Sequence, residues 1–170
     1  MTTLRPEPDD PVTGRRRWSL HLLELEASIL RGLPDQLRAL LADPQANRAV
    51  IDRLFPASYA DPDEEAACRE LLGAGLLEER REMLDAVDLE LSAGTPEEGG
   101  LRIDLAGPQI DLWLRFLNDV RLVLATDLGL DAAEEDEEPG PEELADPKRA
   151  LLEYLGGLES ILVEAARREF

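Results

Sequence analysis

The sequence has one cysteine, one histidine and a single lysine, Lys148, and only 4% of its residues are aromatic. One cysteine excludes an internal disulfide framework. The shortage of aromatics, set against many leucines and alanines, favours helices over sheets. No run of about 18 apolar residues occurs, so no membrane span is expected. The first residues, MTTLRPEPDDPVTGRRRW, lack the apolar core of a secretion signal, and the chain reads as cytoplasmic. No glycine-rich phosphate loop, zinc motif or calcium-loop spacing is present. Cofactors are therefore not expected, and neither is an enzyme.

What is abundant is negative charge. The chain has 170 residues, a net charge of −20, 44% hydrophobic content and a pI near 4.3. The hydrophobic content is that of a folded protein, and the length suits one domain. Nine acids and no base lie in 131–147, so the remainder carries −11 of the −20. Nucleic-acid binding draws affinity from Lys and Arg neutralising phosphates, and an acidic surface opposes that encounter.

Hydropathy patterning outlines the elements. Residues 1–14, with three prolines and a glycine, are expected to form a disordered N-terminal tail. Trp18, Leu20 and Leu22 alternate with polar residues, as do Leu101, Ile103 and Leu105, giving two strand candidates that could pair. Between them the period is helical. One helix is expected to stop near Gly32 and another to open at Pro34, because proline suits a first turn. Asp43-Pro44 begins a short helix carrying Val50, Ile51 and Leu54, which Phe55-Pro56 breaks. Asp61 as N-cap, Pro62 at the first position and Glu64 three residues after the cap signal a long helix, which Gly73 and Gly75 could bend or split. The most apolar helix runs from Ile110 to Leu128 with Gly129 as its stop, and reads as central. A last helix covers about Asp146 to Arg168, after an acidic disordered loop over 131–147. The expected fold is mostly α: a single-domain helical bundle of about five to six helices over 15–130 and 148–170, with at most a small two-stranded β ribbon.

Few residues carry candidate chemistry. His21 lies among leucines with no pattern naming a triad, and reads as an outward-facing residue. Cys68, the one redox-capable side chain, has Glu64, Glu65 and Glu70 around it, which disfavours the reactive thiolate. Trp113, Arg115, Asn118, Asp119 and Arg121 place polar groups on an otherwise apolar helix. Buried, they need partners, so they are either a network tying helices together or a polar docking site. Arg15, Arg16 and Arg17 beside Trp18 form the one basic patch. It suits base stacking or an intramolecular clasp with the acids of 131–147.

The stretches RLFPASYADPDEEAACRELL (53–72) and WLRFLNDVRLVLATDLGL (113–130) resemble the actinobacterial oxidative stress regulator AosR family, long catalogued as a domain of unknown function, whose genes often lie near that of the ClpS protease adaptor. With the first helix the resemblance covers most of 15–130. It implies a cytosolic regulator, acting on transcription through a protein partner such as a sigma factor, and it brings no catalytic residues. Redox sensing by an intramolecular disulfide needs two cysteines, and this sequence has Cys68 alone. The expected function is a regulatory protein-interaction module. Direct DNA binding through Arg15–Arg17 is the alternative, and an enzyme of unknown class the second.

Overall fold

The computed structural model describes residues 2–130, 140–141 and 145–168. Its elements run β1 (Thr3–Glu7), β2 (Arg17–Leu23), α1 (Glu24–Ala42), α2 (Arg48–Leu54), α3 (Pro62–Ala93), β3 (Thr95–Glu97), β4 (Gly100–Leu105), α4 (Gly107–Leu128) and α5 (Pro147–Arg167). The protein is mostly α. The expected two-stranded ribbon is instead the centre of a four-stranded antiparallel sheet of order β1-β2-β4-β3.

The two strands legible in the alternation do pair, Trp18 with Leu105, Leu20 with Ile103 and Leu22 with Leu101. Their alternate residues form one apolar face, and all six side chains are buried. The expected N-terminal tail is corrected over Thr3–Glu7, which forms an edge strand pairing Leu4 with Leu20 and Pro6 with Trp18. A proline is tolerated on an edge because its missing N–H falls where no neighbour needs it. The start of this strand is tied down further. Thr2 N–H donates to Glu26 at 3.2 Å, and the Thr2 hydroxyl lies 3.2 Å from that of Tyr154 on α5.

One expected helix break does not occur, and neither does one that the sequence left open. α1 runs unbroken through Gly32 and Pro34. Its buried residues Ala27, Leu30, Pro34, Leu37 and Leu41 keep one 3–4 spacing across the proline, so a single continuous stripe is buried. That burial outweighs the lost backbone hydrogen bond. α3 likewise passes through Gly73 and Gly75 for 32 residues. α2 starts at Arg48 rather than at Asp43-Pro44. There the Asp43 carboxylate accepts from Ala46 N–H and the Asn47 amide donates to the Leu40 and Asp43 carbonyls, which makes a turn. The expected disorder of 131–147 falls mostly on 131–139 and 142–144, outside the described residues.

α1, α3 and α4 lie against β4, and α4 also packs on α2, α3 and α5. α4 is central: Ile110, Trp113, Phe116 and Leu117 are fully enclosed, with the Trp113 and Phe116 rings edge to face at 6.0 Å. It ends as its sequence predicts. Gly129 takes φ +69°, its N–H donates to the Thr126 carbonyl, and Leu130 N–H donates to that of Ala125. Gly100 serves the sheet differently, because a Cβ there would lie 1.9 Å from the Leu22 carbonyl oxygen. Gly100→Ala should therefore prise β4 from β2 and cost about 2–3 kcal/mol, read from urea unfolding.

Candidate interaction surface

α3 divides into two unlike halves. Its start is set locally: the Asp61 carboxylate accepts from Asp63 N–H at 2.9 Å and Glu64 N–H at 3.2 Å, with Pro62 in the first turn. Glu64 makes no return bond to the cap. Glu65 instead accepts from Ser58 and Tyr59 N–H, at 2.8 and 3.0 Å. Yet all the buried residues of α3, namely Met83, Leu84, Val87 and Leu91, lie in its C-terminal third. That third is also pinned to α1, where Arg38 reaches Asp85 and Asp88 at 2.7 and 2.6 Å. A helix in a globular protein normally owes its stability to a buried stripe. The N-terminal part of α3 has none and projects as an arm.

The arm is held by two arginines, and sequence reasoning missed the role of both. Arg69 Nε donates to Glu65 at 2.7 Å, Nη1 lies 3.3 Å from Asp52 on α2, and Nη2 donates to the Phe55 carbonyl at 3.1 Å. The Arg69 hydrogen bond, then that from the Tyr59 backbone, holds the Glu65 carboxyl below its ordinary range. Arg80 anchors the base of the arm. Its guanidinium sits 5.3 Å over the Phe55 ring, and its Nε lies 2.8 Å from the Asp119 carboxylate on α4. Asp119 is 2% exposed, and burial pushes its carboxyl up to about 6 against the opposing pull of Arg80 and Arg115.

A groove of about 450 Å³ runs between this arm and the α2–α3 connection, with Ile51, Phe55, Pro56, Cys68, Leu72 and Leu76 among its walls. Leu71, Leu72 and Leu76 are 82%, 56% and 40% exposed. Leu72 and Leu76 line the groove and Leu71 does not; Leu23, Leu25 and Ile29 form a second exposed aliphatic group at the start of α1.

The residues singled out in the sequence fall in different places. Cys68 is a free, half-buried thiol on the groove wall. Trp113 is wholly enclosed in the core, and its Nε1–H has no partner among the described residues. Asp119 meets Arg80 of α3, Arg115 lies 3.9 Å from Glu79 of α3, and Arg121 pairs with Glu159 of α5. Asn118 is exposed. Asp119 and Arg115 thus share the α3 side, Arg121 turns to α5 and Asn118 to solvent, so the five residues do not build one common site. Arg15 and Arg16 are exposed in the β1–β2 connection, in a cleft shared with Asp9 and Asp111, while Arg17 lies 3.9 Å from Asp104. The clasp expected between these arginines and the acidic segment falls on residues that are mostly outside the described ones.

His21 is not the isolated residue that its sequence neighbours suggest. The Ser19 hydroxyl lies 3.0 Å from His21 Nε2, and His21 Nδ1 lies 2.8 Å from Glu97 of β3. Ser19 and His21 are two apart on a strand, hence on one face, and that much was readable from the sequence. The Glu97 partner, 76 residues away, was not. The set has the outline of a nucleophilic triad but not its access. Ser19 has no exposed surface, and its hydroxyl donates to Glu7 of β1 at 2.6 Å. A serine that serves as a nucleophile needs an open approach and a base as its proton acceptor. Here the chain Glu7–Ser19–His21–Glu97 stitches three strands together across the solvent face of the sheet. Among the described residues, no cluster of His, Cys, Asp or Glu is arranged to hold a metal ion, and no helix is long and apolar enough to cross a membrane.

The fold and this surface define a mostly helical domain with a projecting, apolar-faced arm. The family model described as a domain of unknown function, DUF2017, matches residues 1–166, and the chain belongs to that family. No curated protein and no solved structure matches it.

Proposed function

We propose that this chain is a cytosolic regulatory protein-interaction module, which adjusts transcription in a stress response through a protein partner such as a sigma factor. The observation that carries the interaction role is the pair of exposed leucines, Leu72 and Leu76, on the α3 wall of the groove, with exposed Leu71 on the adjoining side of the arm. Apolar side chains clustered in this way on a soluble domain mark binding surfaces. The stress and transcription part of the reading rests on the resemblance of 53–72 and 113–130 to the AosR family, and both of those stretches contribute to the arm and its anchor. With Cys68 as its one cysteine, the chain cannot close a disulfide within itself. Signal input through the partner, or through a disulfide between molecules at this groove-wall thiol, fits better.

The test is affinity purification of the tagged chain from its own cells, before and after peroxide. RNA polymerase or a sigma factor is expected to co-purify, and to be lost when Leu71, Leu72 and Leu76 are replaced by serine together. Absence of any stable partner under both conditions would remove the reading.

A further inference from the structure

Arg80 clamps both ends of one loosely held stretch of chain. Its guanidinium sits over the Phe55 ring and Nη2 donates to the Leu54 carbonyl at 3.5 Å, where α2 ends, while Nε meets Asp119 of α4. Phe55 and Leu77 are both packed against the core. Between them the chain is open to solvent: none of residues 56–72 is buried, and all but Glu65 and Cys68 are exposed.

This stretch is bonded mostly to itself. Glu65 accepts from Ser58 and Tyr59 N–H, the Asp61 carboxylate caps the helix, and Arg69 Nε donates to Glu65. Apart from the helix it begins, its one polar tie to the body among the described residues is Arg69, which reaches Asp52 of α2 at 3.3 Å and the Phe55 carbonyl at 3.1 Å. The Arg69 and Asp52 side chains are 41% and 47% exposed, and an ion pair so open to water holds weakly. At the other end stand Gly73 and Gly75. Neither has a positive φ, and a Cβ at either would meet nothing within 4 Å. Neither turn nor packing therefore calls for glycine, yet each disfavours the helix roughly fourfold against alanine. Such pairs are where helices bend.

We propose that residues 56–72 form a strap that swings away from α2 about its two ends, Phe55-Pro56 and Gly73–Gly75, with Arg69 as its latch. Opening widens the groove and uncovers its walls, among them Ile51, Phe55, Leu72 and Leu76. Segments with few buried contacts open without unfolding the rest of a protein, and hinges at a few element ends absorb the change. That a partner enters through this opening rests on the interaction role above.

Cys68 is the chain's one cysteine and lies half-buried on the groove wall, so its rate of reaction with iodoacetamide in the full chain reports the opening. Arg69→Gln should speed it at least about threefold. Removing a positive charge beside a thiol would by itself slow the reaction, because the thiolate is the reactive form, so acceleration reads access. Gly73→Ala together with Gly75→Ala should slow it roughly tenfold, since bending must then unwind better helix formers. Both alanines fit, there being nothing for their Cβ atoms to strike. Gly100→Ala weakens the sheet instead and should leave the rate as it is, because local opening does not pass through global unfolding.

An unchanged rate in Arg69→Gln, or in the double alanine variant, would overturn the strap. So would a Gly100→Ala rate raised as much as that of Arg69→Gln, which would mean that the thiol is reached by unfolding of the whole protein. If the rates move as expected and no partner is found in cells, the interaction role falls and the strap stands. A partner captured as well by the double alanine variant as by the parent would overturn the strap's role as its gate.

Discussion

Replacing Arg80 by methionine should cost about 3–5 kcal/mol of stability at neutral pH, because it leaves the Asp119 carboxylate buried without its neighbour. The pH dependence separates this from simple loss of packing. The Asp119 carboxyl is raised from 3.8 to about 6 in the folded protein. A raised carboxyl means that the folded state holds its proton more tightly than the unfolded chain. Its contribution to stability is therefore fully present below pH 3.8 and is lost as pH rises through about 6. Over that window the parent should lose roughly 3 kcal/mol from this one group. Without Arg80 the carboxyl moves higher still, so the variant should be penalised most at about pH 7.5 and much less at about pH 5, where Asp119 keeps its proton in both proteins. Urea unfolding at the two pH values measures the difference. Adding Asp119→Leu to Arg80→Met should recover most of the loss, since a buried pair replaced by apolar groups is often neutral. Equal penalties at both pH values would mean that the Arg80 contact with Phe55, not its charge, is what matters.

Trp113→Ala should be comparably severe, at about 3–5 kcal/mol, because the side chain is fully enclosed in the central helix and leaves a large void. For a chain of this length that corresponds to a fall in Tm of about 6–20 °C. Trp113→Phe should cost less than half as much. The ring stacked edge-on to Phe116 is kept in kind, and Nε1–H gives up no hydrogen bond to a described residue. Thermal unfolding followed by far-UV circular dichroism tests both. Partner capture by Trp113→Phe should match the parent, because Trp113 presents no surface to a partner.

The central elements were legible because their signals are local. Alternation at Trp18–Leu22 and Leu101–Leu105 named the two inner strands and also their pairing. Gly129, Asp61 with Pro62, and the stripe of α5 marked helix ends close to where they lie. The edge strands were illegible for a physical reason. Thr3–Glu7 and Thr95–Glu97 are short, proline-bearing and mostly exposed, and edges are built from residues that discourage further pairing. α1 misled because proline and glycine were read as punctuation, while the stripe running through them decided the matter. On the candidate surface, the polar residues of α4 were noticed but their partners were not. Arg80 lies 39 positions before Asp119, and no periodicity connects them. The periodicity of α3 does not say whether anything covers its leucines, so their exposure is visible only in the fold.

The placement of β2 against β4 has a consequence for synthesis on the ribosome. Leu22 pairs with Leu101, so the strand that leaves the tunnel early must wait for nearly half the chain before its neighbour is made. The β1–β2 hairpin emerges with Trp18, Leu20 and Leu22 on one face and no β4 beside them. At ordinary elongation rates that interval lasts roughly 4–16 s. A nascent chain carrying a bare apolar hairpin for so long is a natural client for ribosome-associated chaperones. Closing the sheet across so long a loop is also an intrinsically slow step. The sheet, a minor part of the finished protein, thus waits for its inner partner strand until α1, α2 and α3 are already on the chain.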